Sequence, residues 1–196
     1  MRTIFKLSII ILSALLVAVV IVFSLAAFDV GSYTPSSYSS LILPSKGSMK
    51  GTAVVVFDPG MSGAAKTVAS NIAGDLQNSG YQVCLAGIRS QSVANISSFN
   101  IVVTGGPCYL GKIASSVQHY LRTCNIGQNA IVGAFGIGSI TPENNSSQAI
   151  TQEVTALPKG NCITINASIK IVGTQDIREE SQIFVNELLN STQLKP

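Results

Sequence analysis

Two patterns of apolar residues divide the chain. From Leu7 to Phe28 a run of twenty-two residues, LSIIILSALLVAVVIVFSLAAF, carries no charge and only three serines. As a helix rising about 1.5 Å per residue, it is long enough to cross a hydrocarbon core of about 30 Å. From Gly51 onward the apolar residues come in short bursts instead. Ala53 to Phe57, AVVVF, reads as a strand buried on both faces that ends at Asp58-Pro59-Gly60. Ala65, Val68, Ala69, Ile72, Ala73 and Leu76 then recur at helical spacing until Asn78-Ser79-Gly80 stops them. Further strands are predicted over Tyr81 to Ala86, Asn100 to Thr104 and Asn129 to Phe135, with a fifth inside Ile163 to Val172. A short helix fits around Gln91 to Asn95. Longer ones are marked by Ile113, Val117, Tyr120 and Leu121, by Ile150, Val154 and Leu157, and by Ile177, Phe184 and Leu188. Apolar strands alternating with helices predict an α/β domain, a parallel sheet covered on both faces with right-handed crossovers.

Between these two parts, Val30 to Lys50 is rich in Ser, Tyr and Pro and lacks a period over most of its length, so it reads as a tether of roughly 25 Å. Leu41-Ile42-Leu43 within it is apolar enough to dock on the domain or on lipid. The expected division is therefore a short N-terminus at 1–6, a transmembrane helix at 7–28, a tether at 29–50 and the domain at 51–196. Arg2 and Lys6 precede the apolar run and the next basic residue is Lys46, so the positive-inside bias leaves 1–6 in the cytoplasm and the domain on the extracytoplasmic side. A cleaved signal peptide is the alternative, with Ser24-Leu25-Ala26 as a small-x-small cleavage site. Both readings export the domain. Asn95, Asn144, Asn145, Asn166 and Asn190 each open an Asn-x-Ser/Thr triplet, which agrees with export.

Charge narrows the classes of partner. From Gly51 onward eight Lys/Arg face eight Asp/Glu, with no basic run, so nucleic-acid binding has no electrostatic footing. His119 is the one histidine and falls mid-helix, which leaves a Ser-His-Asp triad or a His-rich metal site nothing to build on. Asp58 and Asp75 form no acid/base pair, because Asp75 belongs some turns along the first helix. Cys84, Cys108, Cys124 and Cys162 show no C-x-x-C spacing. In an exported domain, the preferred disulfide joins Cys124, at a helix end, to Cys162, before the fifth strand. Cys84 and Cys108 would lie two strand spacings apart, too far for a bridge.

Two segments carry a resemblance. VVVFDPGMSGAAKTVASNIAGDL is similar to the first strand, phosphate loop and first helix of the flavodoxin family, and FNIVVTGGPCYLGKIASSVQHYL resembles its third strand, flavin-flanking loop and following helix. The likeness extends over nearly all of Gly51 to Leu189. It implies a five-stranded parallel sheet in the order 2-1-3-4-5, with FMN at the switch point beyond strands one and three. The phosphate would rest on Gly60, Met61, Ser62, Gly63, Ala64 and Ala65, at a helix N-terminus. Ser62 and Gly63 stand where the family has Thr-Gly, but Gly60 and Ala65 replace two of its hydroxyl donors. Asp58 would repel a phosphate and Lys66 would offset it. Gly106, Pro107, Cys108 and Tyr109 would flank the ring, with Tyr109 stacking on it, and Gly136-Ile137-Gly138-Ser139 would rim the same crevice. The resemblance implies an FMN-binding electron carrier or flavin oxidoreductase, held at the membrane with a redox partner protein. The alternative is a cofactor-free domain of the same fold that binds other molecules at the cell envelope.

Overall fold

The computed structural model describes residue 6 and residues 11–21, 23–24, 34–109, 112–138 and 163–191. Its order is a 3-10 turn (Thr34–Tyr38), β1 (Ser40–Leu43), β2 (Gly51–Phe57), α1 (Ala64–Asn78), β3 (Tyr81–Gly87), a 3-10 turn (Gln91–Val93), β4 (Ile101–Tyr109), β5 (Lys112–Ile113), α2 (Ser115–Thr123), β6 (Ile131–Gly138), β7 (Ala167–Val172) and α3 (Ile177–Asn190). Residues 11–21 are helical. Among the described residues no helix is long and apolar enough to cross a membrane, and part of the expected span at 7–28 lies outside them. The expected helix at Ile150 to Leu157 also lies outside them.

The sheet corrects the expected one in two ways. It has seven strands rather than five, in the order β1-β3-β2-β4-β6-β7 with β5 attached to β4. Strands β3, β2, β4, β6 and β7 run parallel, whereas β1 and β5 are antiparallel to their neighbours. Strand β1 comes from a segment read as irregular, and β5 takes Ile113 from the expected helix, which begins only at Ser115. Strand β5 closes a hairpin on β4, pairing Cys108 with Ile113 and Tyr109 with Lys112. Strand β1 comes from the tether, with Leu43 opposite Val83 and Ser40 opposite Ala86.

Each face of the sheet buries a different set of side chains. On one, Val55, Phe57, Val103 and Phe135 pack against α1 and α3 through Val68, Ile72, Leu76, Phe184 and Leu188. On the other, Val54, Val56 and Val102 meet Val93 and Ile96, while Ala134 meets Val117 and Leu121 of α2. Helix α1 follows from its apolar period and stops at Gly80, whose φ is +96°. Helix α3 starts at Asp176, whose carboxylate accepts from the N–H groups of Arg178 and Glu179, and Glu179 and Glu180 complement its dipole. Asp75, buried on α1, is held by both terminal nitrogens of Arg178 on α3. That pairing ties the two helices of this face and gives Asp75 a structural role.

The ordered unit thus begins before Gly51. Ser37 is buried, its carbonyl accepts from Arg89 N–H at 2.8 Å, and the Ser39 carbonyl accepts from Gly87 N–H at 2.9 Å. A Cβ on Gly87 would lie 2.2 Å from the Ser36 carbonyl oxygen, so glycine lets this segment close over the end of β3. A domain beginning at Thr34 is expected to be more stable than one beginning at Gly51 by about 2 kcal/mol, from Leu43 burial and these hydrogen bonds. Urea unfolding of the two fragments checks this, and equal midpoints would return the segment to the role of tether.

Candidate functional site

The parallel strands point their carboxyl ends to one edge, where β2 and β4 sit side by side and their connections leave for opposite faces of the sheet. That is the position at which open α/β sheets bind ligands. Residues 58–63 form the loop from β2 to α1. Gly60 and Gly63 both take left-handed backbone, at φ of +64° and +69°. Gly63 begins α1 with no side-chain cap, and the first turn has no acidic residue and contains Lys66. Such a terminus is electropositive.

Within this loop, several donors already have internal partners. The Asp58 carboxylate accepts from Gly60 N–H at 2.9 Å and, through its other oxygen, from the Ser116 hydroxyl at the start of α2. Ser62 Oγ accepts from Ala64 N–H at 3.4 Å. Lys66 Nζ turns to Ser36 Oγ, 3.3 Å away.

The β4 side differs from its expected form. Gly105 to Tyr109 is strand rather than loop, since Gly106 pairs with Gly136 and Pro107 with Ile137. The Gly136 to Gly138 stretch is likewise the end of β6, and Ser139 lies outside the described residues, as do Leu110 and Gly111. Pro107 and Tyr109 reach the phosphate-type loop directly. A Cβ on Gly60 would lie 2.8 Å from Pro107 Cγ and 3.2 Å from the Tyr109 hydroxyl oxygen. Tyr109 remains 44% exposed. Its hydroxyl is pushed up in pKa by burial, against the Met61 backbone, which lowers it, and with the Asp58 charge, which raises it further. Cys108 is half-buried beside Gly138.

The structure therefore brings the two expected segments together, with unequal roles for their members. Gly60, Gly63 and Ala64 bring backbone to the site, with the Gly60 and Ala64 N–H groups already engaged by Asp58 and Ser62, while Met61 and Ser62 are exposed and Gly106 and Pro107 are buried in the sheet. Ala65 is 1% exposed and belongs to the core beneath α1, so its side chain supports the helix. Sequence reasoning missed Ser116. An Asp58-to-Ser116 hydrogen bond spans 58 residues and has no local pattern to announce it.

No protein-family profile matches the sequence, and no characterised protein matches it significantly. Solved structures do. Flavodoxin 1 of Bacillus cereus superposes with a TM-score of 0.53 at 15% identity, over 71% of this chain and 97% of that one. Flavodoxin 2 of Bacillus cereus gives 0.52 at 14%, over 71% and 98%. The two-electron reduced flavodoxin of Megasphaera elsdenii gives 0.51 at 15%, over 71% and 99%. The fold is flavodoxin-like. At these identities the likeness establishes the architecture of the flavodoxin-like domain, and its chemistry has to be argued from its own residues.

An FMN in this crevice would need a cradle for a dianion and an aromatic cover for the ring. The uncapped start of α1 and the half-exposed Tyr109 fit those needs. The hydroxyl complement does not. Gly60 cannot give way to Ser without strain at positive φ and a clash with Pro107, and position 65 is occupied by core packing.

Away from the crevice, the flavodoxin-like domain carries thiols rather than the expected bridge. Cys84 and Cys124 are buried and not disulfide-bonded, and Cys162 lies outside the described residues. Burial pushes Cys124 up to about 11, and it raises Cys84 against a hydrogen bond with Ser92. In the unfolded chain these thiols ionise near 9. For Cys124 the stabilising contribution is thus complete below pH 9 and is lost as pH rises through about 11, a loss of about 2–3 kcal/mol. Cys124→Ala should flatten the fall in unfolding free energy across this window. An unchanged slope would count against a buried thiol there.

Proposed function

We propose that the chain is a membrane-anchored electron carrier whose flavodoxin-like domain, on the extracytoplasmic side, holds FMN at the carboxyl edge of the sheet. The observation that carries this reading is the meeting of Gly60 with Pro107 and Tyr109 beside the uncapped N-terminus of α1. Export is supported by the charge-free run from Leu7 to Phe28 and by the basic residues before it. FMN, when bound, supplies one- and two-electron chemistry, and the protein positions it and tunes its potential. The backbone of Gly60 to Ala65 and the Ser62 hydroxyl would hold the phosphate, and Tyr109 would cover the ring. Lys66 would oppose the charge of Asp58.

A second reading, a cofactor-free binding domain, is favoured by two contacts of the loop. The Gly60 N–H is taken by Asp58, and Tyr109 lies on the loop. The two readings give Tyr109→Ala different outcomes. If Tyr109 stacks on the ring, its loss weakens FMN binding by about 0.5–1.5 kcal/mol, up to about tenfold in Kd. If it plugs the cradle, its loss leaves FMN unbound or lets it bind for the first time. Titration of the full chain with FMN, followed by quenching of flavin fluorescence, decides the matter. An absence of saturable binding at millimolar FMN in the natural protein would end the flavin reading.

A further inference from the structure

The position of the N-terminal 3-10 turn orients the domain. Thr34–Tyr38 lies beyond the end of β3, with Ser36 and Ser37 against Gly87 and with Ser36 accepting from Lys66 of α1. It therefore sits at the carboxyl edge of the sheet, the edge that carries the crevice. Strand β1 then runs antiparallel to β3 toward the amino edge, where Lys50 N–H donates to the Gly80 carbonyl at 2.8 Å. The chain enters the domain at the carboxyl edge and only afterwards reaches the other.

Only five residues separate Phe28 from Thr34. Even fully extended, that link spans no more than about 20 Å. If the apolar run is anchored in a bilayer, as the proposed function holds, the carboxyl edge is the one kept beside it. Among the described residues, the part of this edge from β1 to β4 has the composition of a lipid-facing surface. Tyr38 is 59% exposed, Met61 51% and Tyr109 44%, and Leu41 on β1, opposite Leu85 near the end of β3, is exposed too. Lys66, Arg89 and Lys112 lie at the same edge near β2, β3 and β4, while the carboxylate of Asp58, at the end of β2, is engaged by the Gly60 N–H and the Ser116 hydroxyl. The acids Asp176, Glu179 and Glu180 gather at the start of α3, after the carboxyl end of β7, which is the end of this edge farthest from β3 and the 3-10 turn. Exposed aromatic and apolar side chains with flanking cations match the headgroup region of an anionic membrane.

We infer that the carboxyl edge of the sheet, through Tyr38, Leu41, Met61 and Tyr109, rests on the lipid surface, so that the crevice opens toward the bilayer. The inference deepens the proposed function and rests on its anchored reading. It makes the partner of the crevice a lipid-dissolved or membrane-embedded molecule rather than one diffusing in the aqueous phase.

The protein has no tryptophan, so single reporters read cleanly. The full chain is reconstituted in vesicles of phosphatidylcholine and phosphatidylglycerol, with or without acyl-chain bromination, as Leu15→Trp, Tyr38→Trp or Met49→Trp. Met49 is the control, because it is 57% exposed and lies next to Lys50 at the amino edge. The expected result is strong quenching by brominated lipid at Leu15→Trp, a loss of about half the emission at Tyr38→Trp, and almost none at Met49→Trp. Quenching at Leu15→Trp with none at Tyr38→Trp, or with equal quenching at Tyr38→Trp and Met49→Trp, overturns the orientation and leaves the anchor standing. No quenching at Leu15→Trp removes the anchor and the inference together. A blue shift at Tyr38→Trp that ignores bromination and grows with protein density means that a second copy covers this edge, and it also overturns the inference.

Discussion

Phe135→Ala should lower the unfolding free energy by about 3–5 kcal/mol, a large share of what a domain of this size possesses. Phe135 has 0% exposure on β6, between β4 and β7, inside the cluster that α1 and α3 cover. It also bears on the crevice. A Cβ on Gly105 would lie 2.4 Å from the Phe135 ring, so the ring fills the space that β4 leaves empty just before Gly106 and Pro107. Truncation removes apolar contact and opens a void that two neighbouring strands cannot easily close. Phe135→Leu retains most of the volume and should cost about 1 kcal/mol. Urea unfolding followed by far-ultraviolet circular dichroism, on a fragment beginning at Thr34, gives both values. A loss under about 1 kcal/mol for the alanine variant would mean that the sheet is not packed on this ring.

The other large effect is expected at Asp58. Asp58→Asn keeps an oxygen for the Gly60 N–H and a partner for Ser116, but removes a full negative charge from the loop that would receive a phosphate. A unit charge a few ångströms from a dianion, at an effective dielectric between protein and water, is worth about 1–3 kcal/mol. FMN affinity should rise about tenfold or more. Riboflavin, which lacks the phosphate, should bind the natural protein and the variant equally. That contrast separates electrostatics from any change in loop shape. Equal gains for both ligands would place the effect in the ring pocket, and no gain for either would take the phosphate away from residues 60–65.

The sequence carried the central strands and helices α1, α2 and α3 well, because their signals are local. AVVVF can hide only in a sheet covered on both sides, and Ala65 to Leu76 repeats at one helical period. The edges were less legible. Ser40–Leu43 is too short and too exposed to show alternation, and it becomes a strand only because β3 offers it an unpaired edge. Gly105 to Tyr109 has the composition of a loop, yet β6 pairs it as strand through Pro107. At the site, the substitutions at Gly60 and Ala65 were visible as missing hydroxyls, but their reason was not. Gly60 yields to Pro107 and Tyr109, and Ala65 to the core, both through contacts distant in sequence.

The continuation of β4 as far as Tyr109 has a kinetic consequence. On this side, the wall of the crevice is a strand fixed by the β6 register and the β5 hairpin, not a flap that must swing open. Entry past Tyr109 then waits on rotation of one half-exposed side chain, a motion of picoseconds to nanoseconds, rather than on microsecond loop opening. Association should run at the encounter-limited rate in the natural protein and in Tyr109 variants alike. Differences in affinity among them would appear almost wholly in how long the ligand stays.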